Sequence, residues 1–259
     1  MSLVRLDQLL AKAGLGSRQQ VKKLIRGGNV TVDGERTLTP DLKVDPERSS
    51  VCCRGKQIGA PGFTYVMLCK PDGVVSADCD NLHKTVIDLI GSLPEAKKVH
   101  PVGRLDIDTT GLMLLTDDGE LGHRLLSPRS HVEKEYEAVV ERPVTEEDVR
   151  LFAEGMDIGD EKQALPAELK TADAADKKGR DATGELVHVI LREGRFHQVK
   201  RMFEKTGNRV IALKRVRMGP LILDPSLEEG EFRYLTEEEV QALKNEVNTL
   251  KKERTSDEE

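Results

Sequence analysis

Apolar residues near the amino terminus recur at helical spacing and predict a pair of short helices. The first helix is indicated by five positions that would share one helical face: Leu3, Leu6, Leu9, Leu10 and Ala13. Ser17 offers an N-cap for the second helix, which the glycine pair at residues 27–28 ends. The stretch VTV at residues 30–32 then predicts a strand, and the Asp-Gly pair that follows it predicts a tight turn.

Farther along, apolar runs alternate with amphipathic stretches and predict a sheet with helices around it. Strands are expected at residues 65–68, 112–115, 136–140 and 186–191. Helices are expected at residues 84–92, 145–154 and 197–206, with another starting at Thr236. Strands interspersed with helices in this way predict an α+β fold.

Three segments follow from the distribution of glycine, proline and charge. Residues 55–62 contain three glycines and one proline, which predicts a linker. We therefore expect a first domain at residues 1–59 and a second at residues 60–240. Residues 241–259 are expected to be a charged tail, frayed from residue 251 onward.

Length and composition exclude several classes of protein. A chain of 259 residues, 37% hydrophobic and 33% charged, suits a two-domain globular protein. It has no run of about 18 apolar residues, so we expect no membrane span, and its start does not predict a signal peptide. The four cysteines lack a CxxC pair and the six histidines lack metal-ligand spacing. We therefore expect a cytoplasmic protein without a disulfide framework or a dedicated metal site.

Charge is distributed unevenly along the chain. The net charge is −6, yet residues 1–59 carry 11 Lys and Arg against 6 Asp and Glu. Residues 191–217 carry 9 against 2, whereas residues 224–259 carry 5 against 12. Local fields rather than the total charge govern the attraction of phosphates, so the two basic segments are candidates for binding nucleic acid.

The first 50 residues place basic side chains on the second predicted helix. Taken alone, this pattern fits either a solvated basic surface or a helix that contacts phosphates. The segment resembles the S4 RNA-binding domain, and the likeness is carried by Arg5-Leu6-Asp7, Ser17-Arg18, Lys22, Ile25, Gly28 and Val30-x-Val32-Asp33-Gly34. The resemblance implies contacts with RNA for four cations: Arg5, Arg18, Lys22 and Arg26.

A glycine-flanked loop with two carboxylates precedes one of the predicted strands. The sequence GRLDIDTTG at residues 103–111 leads into the apolar run LMLL. These residue types fit a tight loop at a sheet edge or an ordinary surface turn. Asp106 and Asp108 also leave open a metal pair in a metal-dependent hydrolase, whereas the phosphate-loop motif GxxxxGK[ST] is absent.

A second chemically rich stretch is EGRFHQVKRMF at residues 193–203. On a helix, His197, Lys200 and Arg201 are neighbours at spacings of three and four. Val199 and Met202 predict that one side of this helix is buried. The two phenylalanines of the stretch are both expected in the core: Phe196 and Phe203.

Together these stretches resemble the pseudouridine synthases that modify ribosomal RNA. The likeness covers about residues 1–240 and is carried by GRLDIDTTGLMLLTDDG and EGRFHQVKRMFEKTGNRV, supported by LCKPDG at residues 68–73 and EKEY at residues 133–136. Within the family it favours the enzymes of the small subunit, with those of the large subunit as the alternative. The family implies a mixed, largely antiparallel sheet with flanking helices and a cleft for RNA.

The resemblance also implies roles for individual residues. Asp106 is the essential catalytic residue, and Tyr136 packs on the target uracil. Lys200 pairs with the catalytic carboxylate, with Arg201 as the alternative. Contacts with RNA are expected from three further side chains around this region: Arg104, Arg195 and His197.

The reaction itself suits these residues. Pseudouridylation breaks the N1–C1′ bond of uridine and rejoins the base through C5 without a redox change, so neither cofactor nor metal is expected. An ionised aspartate could add to the sugar or act as a base at C2′. We expect an isomerase that acts as a monomer on ribosomal RNA or a pre-ribosomal particle. The competing hypothesis is a non-catalytic, S4-type RNA-binding assembly factor.

Overall fold

The chain divides into two compact units in a computed structural model. The model describes residues 3–46, 49–58, 63–172 and 184–257, without the side chains of Gln57, Arg129 and residues 251–257. The units are Met1–Phe63 and Thr64–Glu259. The predicted linker lies partly outside the described residues, which omit residues 59–62. No helix in the described ranges is long and apolar enough to cross a membrane.

The amino-terminal unit consists of two helices and short strands. The described elements are β1 (Val4–Arg5), α1 (Leu6–Lys12), α2 (Arg18–Arg26), β2 (Val30–Val32), β3 (Glu35–Arg36), β4 (Lys43–Val44), β5 (Val51–Cys53) and β6 (Lys56–Gln57). Within the described residues, β1 pairs with β4, and the other four strands form a sheet in the order β3-β2-β5-β6. The predicted pair of helices followed by a strand is confirmed.

Local sequence signals explain where these helices begin. The Ser17 hydroxyl accepts a hydrogen bond from the Gln20 amide, and the Gln20 side chain accepts one from the Ser17 amide at 2.8 Å. This capping box satisfies two amides at the start of α2. The first helix was expected from Leu3 but begins at Leu6, because Val4 and Arg5 form a strand that pairs with β4.

The second unit contains the remaining helices and a larger sheet. Its described elements are β7 (Tyr65–Lys70), α3 (Val86–Leu89), β8 (His100–Pro101), β9 (Thr109–Thr116), α4 (Gly119–Leu126), β10 (Lys134–Val140), α5 (Glu146–Glu154), β11 (Glu168–Thr171), β12 (Glu185–Leu191), α6 (Gln198–Lys205), β13 (Val210–Met218), β14 (Leu221–Ile222), β15 (Phe232–Tyr234) and α7 (Glu237–Asp257). All four predicted strands are present. The helix expected at residues 84–92 is limited to the single turn α3.

The sheet is mixed and largely antiparallel, as expected. Among the described residues its main order is β11-β12-β10-β13-β9-β7-β15, with β8 and β14 added beside β9 and β13. Strands β9 and β13 run parallel, and the other described pairs are antiparallel. Strand β13 escaped prediction because Lys214, Arg215 and Arg217 interrupt its apolar pattern.

Apolar side chains cover both faces of the sheet. In β9, Leu112 and Leu114 pack in a cluster with α4 and α7, whereas Met113 and Leu115 pack in a cluster with α3. A further cluster joins β10, β12 and β13 to α5 and α6. Tyr136 packs against both this cluster and the α3 cluster. The junction between these two clusters is where the conspicuous sequence motifs meet.

The carboxyl-terminal segment differs from the expected charged tail. Helix α7 crosses the expected boundary at residue 240 and extends past the expected fraying point to Asp257. Leu243 and Val247 are buried in the cluster with α4, and burying each such side chain contributes about 1.5–3 kcal/mol. Three glutamates in the first turn also suit the positive end of the helix dipole. This segment is therefore part of the second unit.

Candidate active site

A pocket opens on the sheet beside Tyr136. It is open to solvent and lies against the loop before β9, strand β10 and the start of α6. Its lining brings together Arg104, Leu105, Asp106, Thr109, Tyr136, Leu191, Gly194, Arg195, His197, Gln198, Val199 and Leu213. Two motifs that are about 90 residues apart in the sequence thus form one site.

The loop that carries Asp106 is held from beneath by a buried lysine. The Lys70 ammonium donates hydrogen bonds to the carbonyl oxygens of Ile107 (3.1 Å), Thr109 (2.8 Å) and Pro71 (3.1 Å). Lys70 is fully buried, and this burial lowers its pKa to about 8. Because one side chain binds the backbone on both sides of Asp108, it restrains the loop that carries Asp106. The sequence signal that could have identified Lys70 is its position at the end of the apolar strand β7.

Gly111, at the end of the same motif, lets two strands approach each other. It pairs with Arg215 where β9 and β13 run parallel. A Cβ atom at Gly111 would lie 2.3 Å from the Arg215 carbonyl oxygen, and the backbone has a φ of +96°. Both conditions favour glycine over any residue with a side chain. The glycine therefore sets the close strand pairing next to the catalytic loop.

Lys200 lies between the two carboxylates of the loop. Its Nζ atom is 3.6 Å from Asp106 Oδ2 and 2.6 Å from Asp108 Oδ1. The hydrogen bond from Lys200 lowers the pKa of Asp108, with further contributions from the lysine charge. On the other side, His197 Nε2 is 3.5 Å from Asp106 Oδ1. The structure therefore places Lys200 of α6 within ion-pair distance of Asp106, and the role of this pair in catalysis stays a prediction.

The alternative cation, Arg201, is directed elsewhere, so that prediction is wrong. Its guanidinium contacts Asp160 Oδ1 at 2.6 Å and donates to the carbonyl oxygens of Ile158 (3.0 Å) and Phe196 (2.8 Å). Successive residues on a helix are about 100° apart around its axis. With Lys200 facing Asp106, the next side chain necessarily points toward a different part of the unit.

Tyr136 has the placement expected of an aromatic residue beside a substrate. It lies on β10, partly buried between two core clusters, and lines the same pocket as Asp106. Its hydroxyl makes no hydrogen bond to another residue that the structure describes. The ring is thus supported by apolar packing while part of it faces the pocket, which leaves a surface on which a base can stack.

Two buried cations near Tyr136 were missed by sequence reasoning. Lys134 lies two residues before Tyr136 on the same strand, and Arg215 is the partner of Tyr136 on β13. Burial, and secondarily the charge of Arg215, lowers the pKa of Lys134 to about 8. Arg215 Nε donates to the Leu112 carbonyl at 2.9 Å, but its buried Nη2 has no partner within the described ranges. Two buried cations therefore neighbour Tyr136 within the sheet.

The arginines expected to bind RNA around the pocket differ in their surroundings. Arg104 is exposed, lines the pocket and forms no ion pair with any residue of the described ranges. Arg195 is paired with Glu193 at 2.9 Å and Asp160 at 3.4 Å. Its guanidinium also donates to the backbone of Lys162 and to that of Gln163. Arg195 thus secures a loop, and its contact with RNA stays a prediction.

Four predicted RNA-binding residues belong to the amino-terminal unit. Arg18 and Arg26, on α2, are exposed. Arg5 forms two 3.0 Å hydrogen bonds to the buried Asp7 carboxylate, and Lys22 lies 3.8 Å from it. The hydrogen bonds from Arg5 lower the pKa of Asp7. Arg5 and Lys22 therefore anchor the start of α1 to α2, and the role of all four cations toward RNA stays a prediction.

The two phenylalanines expected in the core have opposite positions. Phe203 is fully buried, as expected, whereas Phe196 is 71% exposed. The Phe196 ring stacks on His197, with 3.7 Å between ring centroids and 19° between ring planes. His197 has a left-handed backbone conformation with φ of 50°, which is uncommon for a residue other than glycine. The exposed Phe196 ring thus immediately precedes a left-handed turn at the start of α6.

The carboxylates of the loop are not arranged as a metal site. Within the described ranges, no group of three or more histidine, cysteine or acidic side chains could hold an ion. Asp106 and Asp108 instead share the Lys200 ammonium. The alternative of a metal-dependent hydrolase therefore finds no support in the contacts of these two residues.

Comparisons with known proteins show which family this chain is similar to. The model of the RNA pseudouridylate synthase family matches residues 64–205, and that of the S4 domain matches residues 4–48. An "Uncharacterized RNA pseudouridine synthase YtzG" from Bacillus subtilis is 40% identical over 240 residues, covering 93% of this chain and 98% of the relative. The "Ribosomal small subunit pseudouridine synthase A" of Escherichia coli K12 is 41% identical over 241 residues, covering 93% of this chain and 100% of the relative.

A solved structure shows the same fold. It is described as "Crystal structure of pseudouridylate synthase" and is 37% identical to this chain, with a TM-score of 0.63. The similarity covers 93% of this chain and 99% of the solved chain. On these matches, the chain belongs to the RNA pseudouridine synthase family and carries an S4 domain at its amino-terminal end.

Proposed function

We propose that this protein converts one specific uridine of small-subunit ribosomal RNA into pseudouridine, with Asp106 as the catalytic residue. The observation that carries the proposal is the position of the Asp106 carboxylate. It lies between Lys200 and His197 in a pocket that Tyr136 also lines. The proposal combines an ionised carboxylate, a nearby cation and an aromatic surface, which are the groups the isomerisation requires.

Each group has a separate task in the reaction. The target uridine leaves its stack at a cost of a few kcal/mol, and stacking on Tyr136 returns about 1–3 kcal/mol. Asp106 then acts at the sugar while the C1′–N1 bond breaks. The base turns and forms the C1′–C5 bond, C5 loses its proton, and N1 gains one. The balance involves no oxidant, reductant or net hydrolysis.

Lys200 and the loop supports keep the carboxylate ready for this task. The Lys200 ammonium lies 3.6 Å from the Asp106 carboxylate and attracts it by its charge. Lys70 restrains the backbone of the loop, so little reorganisation is needed when the substrate arrives. Arg104, exposed at the pocket, is placed to bind a phosphate of the substrate.

The choice of the small-subunit target rests on the relatives. Several bacterial proteins at 38–41% identity are named ribosomal small subunit pseudouridine synthase A. The exposed Arg18 and Arg26 of the S4 domain suit binding of the same RNA. We further propose that the protein acts as a monomer in the cytoplasm, where ribosomal RNA is assembled into subunits.

The direct test is substitution of Asp106 by alanine. We expect retained RNA binding and a loss of pseudouridine formation of more than about a thousandfold, the scale of losing a chemically reacting group. Purified protein would be incubated with small- and large-subunit ribosomal RNA, and pseudouridine would be mapped by position. Asp108→Asn is a matched control, because this carboxylate contacts the same lysine but is 60% exposed. We expect the rate of pseudouridine formation by Asp108→Asn to change by at most about fivefold, since exposed ion pairs contribute up to about 1 kcal/mol.

Two results would contradict the proposal in different ways. Normal turnover by Asp106→Ala would exclude the catalytic role and favour a non-catalytic RNA-binding factor. Modification of large-subunit RNA alone would retain the chemistry and reject the proposed target. The same mapping in cells with and without the protein would identify the uridine.

A further inference from the structure

Phe196 is an exposed aromatic side chain held rigidly beside the catalytic pocket. The chain has five phenylalanines, three tyrosines and no tryptophan, so aromatic rings are scarce. Phe196 is 71% exposed, compared with 48% for both Phe63 and Tyr234. An exposed ring of this size forfeits the gain from burial. Its exposure at this location therefore calls for a function.

The ring is connected to the catalytic carboxylate through one intervening side chain. One face of Phe196 stacks on the His197 imidazole at 3.7 Å. His197 in turn lines the pocket and lies 3.5 Å from Asp106. The opposite face of the Phe196 ring therefore faces solvent. The rings of Phe196 and His197 separate this face from the Asp106 carboxylate.

The backbone that presents this ring is secured by charged side chains. Arg201 donates to the Phe196 carbonyl at 2.8 Å and is itself paired with Asp160 at 2.6 Å. Gln198 accepts from the Arg195 amide at 3.0 Å and donates to Glu193 at 2.8 Å. Because these contacts fix the turn before α6, the ring is pre-organised and needs little ordering when a ligand binds.

We propose that the open face of Phe196 stacks on the base that neighbours the flipped uridine. When the target leaves its stack, the adjacent base loses a partner. A fixed aromatic ring beside the pocket can replace that partner, because every base offers a π-face. The inference rests on the proposed function, since it assumes that a uridine of RNA enters the pocket. It assigns Phe196 the role of positioning the substrate rather than of reacting with it.

The test combines substitutions at Phe196 with changes in the RNA. The probe is a single-stranded oligonucleotide from small-subunit ribosomal RNA with one uridine, in three forms. One form is unmodified, and the others carry an abasic nucleotide on the 5′ or the 3′ side of the uridine. Equilibrium binding and pseudouridine yield are both measured. Phe196→Leu retains apolar bulk without a ring, whereas Phe196→Tyr retains the ring.

On the unmodified RNA, we expect Phe196→Leu to weaken binding by about 5- to 150-fold, the equivalent of one lost base–aromatic stack. This should raise KM with a smaller effect on kcat. Phe196→Tyr should restore binding. On one of the two abasic RNAs the difference between Phe196→Leu and the wild-type protein should disappear, because the base that stacks on the ring is missing.

A control substitution is available at another exposed apolar side chain. Ile222 is 64% exposed on β14 and pairs with Arg217, beyond Leu213 of the pocket along β13. We expect Ile222→Ala to bind all three RNAs like the wild-type protein. Thermal melting checks that each variant is folded.

The outcomes separate this inference from the proposed function. Wild-type binding by Phe196→Leu, or an equal loss on all three RNAs, would overturn the stacking role even if pseudouridine forms normally. Conversely, a loss of binding that depends on the neighbouring base would support stacking. Absence of pseudouridine with the wild-type protein would count against the proposed function alone.

Discussion

Lys200 provides a quantitative test of how charge attraction holds the two carboxylates of the loop in place. Its ammonium is 3.6 Å from Asp106 and 2.6 Å from Asp108, and its side chain is only 20% exposed. We consider the substitution Lys200→Met, which retains most of the side-chain length and removes the charge. Asp106 and Asp108 would then occupy one small region without this lysine.

The electrostatic loss can be bounded from the distance. Two unit charges at about 4 Å attract each other by about 1 kcal/mol in water and about 4 kcal/mol at an effective dielectric constant near 20. The side chains of Lys200 and Asp106 are 20% and 26% exposed, so the value lies between these limits. At about 1.4 kcal/mol per factor of ten in rate, loss of this attraction should lower the rate of pseudouridine formation by about 5- to 800-fold.

The assay is single-turnover formation of pseudouridine at saturating RNA and neutral pH. Lys200→Arg keeps the charge and should keep a rate near that of the wild-type protein. Arg201→Met is the matched neutral control, because Arg201 contacts Asp160 instead. We expect this variant to keep the wild-type rate within about fivefold. A wild-type rate in Lys200→Met, or an equal loss in Arg201→Met, would refute the reasoning.

Two further predictions concern the supports of the catalytic loop. Lys70→Met removes the donor for the three carbonyl oxygens that Lys70 binds, which costs about 1–3 kcal/mol for each oxygen. Urea unfolding should therefore show a loss of several kcal/mol in the free energy of unfolding. Turnover should fall about 100-fold because the loop is less well positioned. The pKa of Lys70 is lowered from 10.5 to about 8, so the unfolded chain holds more protons than the folded chain between these pH values. The free energy of unfolding of the wild-type protein should therefore rise relative to that of Lys70→Met as pH increases from about 8. A difference between the two proteins that does not depend on pH would contradict the burial argument. Gly111→Ala places a Cβ atom 2.3 Å from a backbone oxygen at positive φ and should lower the free energy of unfolding by about 2–5 kcal/mol. Gly119→Ala is the control and should be tolerated, because its Cβ atom would meet nothing within 4 Å. Equal stability of the two alanine variants would show that the close pairing of β9 and β13 does not require Gly111.

Local structure in this protein follows closely from neighbouring residues. The cap at Ser17 and the apolar runs of β10 and β12 depend on side chains and backbone groups a few positions apart. The catalytic loop could also be located, because its residue types form a distinctive motif before an apolar strand. Contacts of this short range are present in the sequence itself, so periodicity and turn chemistry were sufficient to identify them.

The partners of the functional side chains were decided by the tertiary structure. Asp108 and Lys200 are 92 positions apart, and Lys70 binds carbonyl groups up to 39 positions away. The choice of Lys200 over Arg201 depends on how α6 is rotated against the sheet. Phe196 is exposed before a left-handed turn at His197, and the apolar pattern encodes neither feature. The sequence therefore determined which groups are available, whereas long-range packing determined their neighbours, because only the folded chain sets the distances between remote segments.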